Sequence, residues 1–304
     1  MGKIVPLPDN ASRHVEIGKQ ALANQNYASA AAHLDKAFAE APTYVVARLL
    51  VPALNALHQE HAALPYLSRF MADFVADSAG SAVVFDTLLA LPDYRFAWAV
   101  LPHLPEAQQA AMKTRVIDAE VADRTAHGPA ITELAKRLRH LGGFAPHEQE
   151  ELINSLGRLP RRELIAAASG NLVDPDVHPA VRISLLDALT AIGATEPVTI
   201  LGYTGEQTVV PNALPGVMND PTIAEVLHEV AVAAGDNDPE LARATGEVLK
   251  FELGYLYPVI GDVIGDPATF AQAYLHKDAA TVTPAQRDLF AWLSAQTAKL
   301  MEMA

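Results

Sequence analysis

The chain has 304 residues, half of them hydrophobic and only 6% aromatic, with a formal net charge of −14 and no cysteine. That length suffices for two or more domains, and the alanine- and leucine-rich composition predicts helices rather than a β-protein. The lack of cysteine excludes a disulfide framework and a thiolate metal site. The N-terminal run Met-Gly-Lys-Ile-Val-Pro-Leu-Pro lacks the apolar core of a signal peptide, and Met1-Gly2 lacks the Ser or Thr that myristoylation requires. No uninterrupted apolar run approaches the ~18 residues of a membrane span, so a cytoplasmic protein without a membrane partner is expected.

The charge is unevenly spread. Residues 1–112 carry 7 basic and 10 acidic side chains, residues 113–162 carry 9 and 7, and residues 163–304 carry 6 and 19. Nearly all the excess, −13, lies in the last 142 residues. Such a surface keeps the chain soluble; it also repels nucleic acid and anionic lipid and favours basic or neutral partners.

Residues 11–44 form the most informative stretch. Two amphipathic helical patterns meet at Asn24-Gln25-Asn26 and stop at Pro42, which cannot continue a helix. Ile17, Leu22, Leu34 and Phe38 recur at near-helical spacing and give each helix an apolar stripe. Gly18 on the first helix, with Ala30 and Ala37 on the second, allows the two axes to approach closely. Tyr27 sits just past the turn, where its ring can plug the open end of the hairpin. The unit spans about 34 residues and cannot bury its apolar face alone, so neighbours must stack on it.

These residues resemble the tetratricopeptide repeat (TPR) signature: Ile17, Gly18, Tyr27, Ala30, Leu34, Ala37 and Pro42 fall at the expected spacing. Two positions depart from it, with His14 where Trp is usual and Ala21 where Tyr is usual. The resemblance implies a right-handed helical-hairpin solenoid with a concave groove lined by the first helix of each repeat. On this hairpin the groove positions are Ser12, Val15, Lys19, Leu22 and Ala23. Chaperone-binding TPR domains grip a terminal carboxylate with Lys and Asn at such positions. Here Lys19 replaces the asparagine and Val15 the lysine, so a partner helix or extended peptide suits the groove better.

A second helix pair is predicted over Val45–Leu57 and His61–Asp77, with Pro52 expected to kink the first helix. Ser81–Leu91 and Asp93–Leu101 continue the pattern with less of the signature, and Phe85, Leu88, Leu89, Phe96, Trp98 and Val100 read as core. Glu106–Thr125 is a longer polar helix broken by Gly128-Pro129. Ile131, Leu134, Leu138 and Leu141 line the next helix, which ends at Gly142-Gly143. A domain boundary is placed there, giving a TPR-like domain over 1–142 and an acidic helical domain over 143–304.

In the second half, Asp174-Pro-Asp-Val-His-Pro leads to Val181-Arg182 in an apolar helix and is similar to one HEAT-type unit. Asp220-Pro221, Asp238-Pro239, Asp266-Pro267 and Thr283-Pro284 mark helix starts, the last with Gln286 completing a capping box. Two β-branched runs around Thr204-Gly205-Glu206 predict one β-hairpin near 197–211, which must pack on the helices or meet another strand. The whole ordering, ending in Tyr255-Leu-Tyr-Pro, is similar to that of an uncharacterised family of bacterial TPR proteins, which implies an interaction role. The fold expected is all-α, a TPR-like solenoid followed by a helical domain with one small hairpin.

The candidate chemistry is sparse. His58 and His61 stand three apart, a spacing able to bind a metal on a helix, but the predicted turn falls between them. Asp174, Asp176 and His178 alternate similarly and also suit turn and N-cap duty. Gly261-Asp-Val-Ile-Gly-Asp lacks the strand and lysine of a phosphate loop and reads as a connector. Lys136, Arg137, Arg139, Arg158, Arg161 and Arg162 form the only basic concentration, fit for an acidic peptide, a phosphate or the chain's own acidic half. The function expected is therefore non-enzymatic protein or peptide binding without a metal or cofactor. Self-assembly into a homodimer through the hairpin edge or the degenerate repeats is the alternative, and a metal-binding or enzymatic role using His58 and His61 or Asp174 and His178 ranks third.

Overall fold

The computed structural model describes residues 10–234, 239–277 and 279–303, and these form an all-α protein with one small antiparallel hairpin. Its contacts divide into two compact units, 1–126 and 127–304. No helix among the described residues is long and apolar enough to cross a membrane.

The first unit contains α1 (Asn10–Ala23), α2 (Tyr27–Glu40), α3 (Tyr44–Ala56), α4 (Glu60–Arg69), α5 (Met71–Val75), α6 (Ser78–Ala90), α7 (Tyr94–Val100) and the start of α8 (Glu106–Leu138). The leading helices of three successive hairpins begin at 10, 44 and 78, and the returning helices at 27, 60 and 94. The three turns are closed by the same bond, donated by the amides of Asn26, Gln59 and Asp93 to the carbonyls of Ala21, Leu54 and Leu88. Gln25 and His58 occupy the left-handed region at φ 57° and 55°. This is the 6→1 bond of a Schellman-type helix end, which satisfies carbonyls the helix leaves open.

Packing repeats with the turns. Ala30, Ala63 and Ala97 are fully buried at matching positions of α2, α4 and α7, and Leu34, Leu67 and Leu101 are buried one helical turn on. The N-caps repeat too. Thr43 and Asp77, both extended, accept from the amides of Val46 and Gly80, while Asn26 and Asp93 accept from those of Ser29 and Phe96. Phe74, Phe85, Leu88 and Val100 lie in the core, with Leu89, Phe96 and Trp98 half-buried against it.

One helix expectation is corrected in this unit. The helix expected over His61–Asp77 breaks at Phe70 into α4 and α5, while Pro65 is accommodated inside α4. Pro52 lies within α3, which continues to Ala56. The break expected at Gly128-Pro129 is present: helical geometry is interrupted at His127 (φ −127°, ψ 21°), immediately before that pair, and helical turns resume to Leu138. The unit boundary coincides with that kink rather than with Gly142-Gly143. The stretch after the kink belongs to the second unit, because buried Asn171 donates to the Leu138 carbonyl at 2.5 Å and accepts from the Leu141 amide at 3.1 Å.

The second unit continues with α9 (Pro146–Asn154), α10 (Arg161–Asn171), α11 (Pro179–Ala191), β1 (Val198–Gly202), β2 (Gly205–Val209), α12 (Pro221–Ala234), α13 (Pro239–Gly254), α14 (Ile260–Ile264), α15 (Pro267–Leu275) and α16 (Pro284–Met303). Helix α11 packs against α9, α10 and β1; α12 packs against α13, α14 and α15, and α13 against α16. The proline starts behave as their chemistry dictates. Asp220 and Asp266 accept from the amides of Thr222 and Thr269, and Thr283 and Gln286 form a reciprocal capping box. Asp238 lies outside the described residues. The connector at Gly261 winds into α14, which Gly265 terminates at φ 68°.

The hairpin pairs Val198 with Val209 through Gly202 with Gly205, and Gly205 takes φ 108° beside the Tyr203-Thr204 loop. Val198 and Ile200 are buried, Leu201 donates its amide to the Leu172 carbonyl, and Tyr203 meets Trp292 edge-on. The helices thus supply the support that a two-stranded ribbon lacks alone.

Candidate interaction surfaces

Helix α1 distributes its predicted groove residues between core and solvent. Ser12, Lys19 and Ala23 are exposed, whereas Val15 and Leu22 are half-buried against the core of the first unit. Lys19 Nζ contacts Glu16 Oε1 at 2.7 Å, an exposed pair that holds the ammonium at the surface without adding much stability. One 34-residue step on, Val46 and Ala53 are buried; two steps on, Gly80 and Thr87 are. Thr87 is also bonded to the Asn55 amide group. Ala56 and Ala90, the equivalents of Leu22, are exposed, so only the Ser12 and Lys19 positions are open on α1 and closed in both later hairpins.

The signature residues of the first hairpin serve its packing. Gly18, Ala30, Leu34 and Ala37 are buried, Ile17 and Tyr27 half-buried, and Pro42 follows the end of α2. A Cβ built on Gly18 would lie 2.6 Å from Leu34 Cγ, so only glycine fits without displacing that leucine. His14 Nδ1 lies 2.8 Å from His33 Nδ1, so one imidazole donates and the other accepts, tying α1 to α2 where the resemblance has tryptophan.

The basic residues have separate local duties. The Arg161 guanidinium donates to the carbonyls of Ile192 and Gly193, at the end of α11, where a cation complements the helix dipole. Arg137 stacks over the Phe144 ring at 5.4 Å. Lys136, Arg139, Arg158 and Arg162 are exposed.

The Asp174–Pro179 loop is built as a latch. Ala180 donates its amide to His178 Nδ1 at 3.1 Å, so Nε2 carries the proton and donates to the Gln296 carbonyl at 3.0 Å. Burial pushes this imidazole below its ordinary pKa, with the Gln296 carbonyl opposing. Both nitrogens are thus engaged in joining the start of α11 to α16. Buried Arg182 completes the latch by donating to the carbonyls of Asp174 and Val177, both at 2.8 Å. A polar cleft of about 490 Å³ opens beside it, lined by Phe144, Gln149, Asp176, His178 and Lys299 among others. His58 lies in the second hairpin turn, 93% exposed, while His61 is on α4 beyond the turn. No group of three or more His, Asp or Glu able to hold a metal occurs among the described residues.

An apolar surface feature lies in the second unit, at residues that, Tyr255 apart, have no sequence motif. A cleft of about 350 Å³ runs between α11, the Val217-Met218 turn and α13, lined by Ile183, Val217, Met218, Phe251 and Tyr255. A second hollow of about 370 Å³ lies between α13 and α16, lined by Val248, Phe251, Leu300 and Met301. Phe251 and Glu247 border both. Met218, Val248, Phe251 and Met301 are exposed by 61, 48, 49 and 76%. Neighbouring apolar side chains at this exposure mark an interaction surface more strongly than scattered ones do. A signal was present: Val248 and Phe251 add a second apolar stripe beside the buried Leu249, Glu252 and Leu253, wider than one core contact needs.

Comparison with known proteins finds no matching family model, no similar curated protein and no similar solved structure.

Proposed function

We propose that this chain is a cytoplasmic protein-interaction module without catalytic activity of its own, whose first unit is a TPR-type array. Its α1 face, with Ser12, Lys19 and Ala23 outermost and Val15 and Leu22 beneath, receives a peptide or helix of a protein partner. The observation that carries this reading is the recurrence of one hairpin at 34-residue steps, with the same turn bond at Asn26, Gln59 and Asp93. Stacked hairpins of this length build a continuous core and leave an extended surface for a partner. The mixed apolar and cationic character of α1 suits a partner helix or extended peptide.

The test is quantitative affinity purification of the full chain beside the variant Lys19→Glu/Ala23→Glu, both substitutions being at exposed positions. Recovery of a stoichiometric protein partner that drops in the variant, with thermal stability unchanged, is the expected result. A partner retained equally by both forms removes the α1 face from the account.

A further inference from the structure

The apolar groove of the second unit has an occupant suggested by its chemistry. Phe251 stands between two hollows of similar size, one reaching Ile183 and Met218 and the other Leu300 and Met301. A partner that straddles Phe251 must present apolar side chains to both hollows, as a helix does with residues at i, i+3 or i+4, and i+7. Flexible methionine side chains at the two outer edges can adjust to the shape of such a helix.

Charge selects among apolar partners. Residues 127–304 carry 12 basic and 23 acidic side chains, and the groove lies wholly within that unit. Close to the groove, Arg243 pairs with Glu247 at 2.8 Å, so neither adds a free charge. Asp187 accepts from the amide of groove residue Val217. Lys250 also lines the groove, so the preference comes from the field of the unit rather than from one rim carboxylate. A second copy of this chain would bring two such negative units together, and an acidic helix would meet the same repulsion.

We infer that the Phe251 groove binds a basic amphipathic helix of another protein, its apolar face in the two hollows and its cations drawn by the net negative charge of the unit. The inference concerns the second unit alone, so its failure leaves the reading of the first unit standing. The probe is a fluorescently labelled leucine/lysine amphipathic peptide of about 18 residues, roughly five helical turns, titrated with the full chain and read by anisotropy. Binding should weaken about tenfold or more in Phe251→Gln, which leaves the net charge unchanged. It should be the same in Val121→Gln, a substitution at an exposed apolar residue of the first unit. It should fall with added salt, and it should be absent for the leucine/glutamate version and for a scrambled peptide of identical composition. If Phe251→Gln melts early, Met301→Gln, at a residue 76% exposed, serves instead. The inference is overturned if the scrambled or acidic peptide binds as well, if neither groove variant weakens binding, or if no binding occurs. A dimer by light scattering that Phe251→Gln dissolves overturns it as well, in favour of self-association.

Discussion

Gly18→Ala tests the packing of the first hairpin because two opposing effects meet at one atom. Replacing a mid-helix glycine by alanine ordinarily stabilises by about 0.5–1 kcal/mol, through lower backbone entropy in the unfolded chain. Here the new methyl lands 2.6 Å from Leu34 Cγ and 2.8 Å from Leu34 Cδ2. Leu34 is fully buried. Overpacking of this kind costs about 1–3 kcal/mol, so the net effect expected is a loss of about 0–2.5 kcal/mol. Leu34→Ala alone should cost about 2–5 kcal/mol, but in that background Gly18→Ala should turn stabilising, because the clash is gone. The chain has two tryptophans, Trp98 in the first unit and Trp292 in the second. A Trp292→Phe background therefore lets urea unfolding of the first unit be followed by Trp98 fluorescence. Gly170→Ala, in α10 of the second unit with nothing within 4 Å of the new methyl, is the control; followed by Trp292 fluorescence in a Trp98→Phe background, it should stabilise by up to about 1 kcal/mol. If Gly18→Ala stabilises the wild-type chain as much as it does the Leu34→Ala chain, the close approach of α1 and α2 is refuted.

Four other outcomes are expected. Gln25→Gly and His58→Gly should each stabilise the first unit by up to about 1 kcal/mol, because glycine takes the left-handed conformation without steric cost; a loss at either site, by chemical denaturation, would contradict the turn geometry. Arg182→Met leaves the buried Val177 carbonyl without its donor and the Asp174 carbonyl with only the Val177 amide, and should cost about 1–3 kcal/mol, seen as an earlier Trp292 transition. Asn171→Leu removes the bonds to Leu138, Ala167 and Leu141 and should cost a similar amount, with faster amide exchange around 138–141. His178 has a lower pKa folded than unfolded, so its contribution is fully present above about pH 6.5 and is lost as pH falls through the lowered folded value. Between about pH 7.5 and about pH 5 the wild type should lose more stability than His178→Asn, which keeps an N-cap without titrating; equal losses would show that His178 does not couple to protons.

The parts of the fold legible in the sequence were those marked by local chemistry. The first hairpin was legible because Gly18, Tyr27, Ala30, Leu34 and Ala37 are tied to one helix–helix contact. The hairpin at 198–209 and the proline-led helix starts were legible because turn and cap chemistry is short-range. The second and third hairpins keep their spacing but not their signature, with Pro52 and Asp86 standing where Gly18 does. Their geometry rests on turn bonds between backbone groups, which leave little trace in side-chain identity. The break at Phe70 carries no glycine or proline, whereas the kink at His127 is marked by the Gly128-Pro129 that follows it. On the surface, exposure of Lys19 and Ala23 follows from helical periodicity alone. The Phe251 groove is assembled from α11, the Val217-Met218 turn, α13 and α16, far apart in the chain, and no local pattern joins them.

Site-specific photo-crosslinking in the native cell tests the central claim most directly. A photoreactive residue is placed at position 23 on the α1 face and, separately, at position 36 on an exposed part of α2. The account predicts a discrete protein adduct from position 23 that is lost with Lys19→Glu, and no such adduct from position 36. Equal adducts from both positions, or none from position 23, would contradict it.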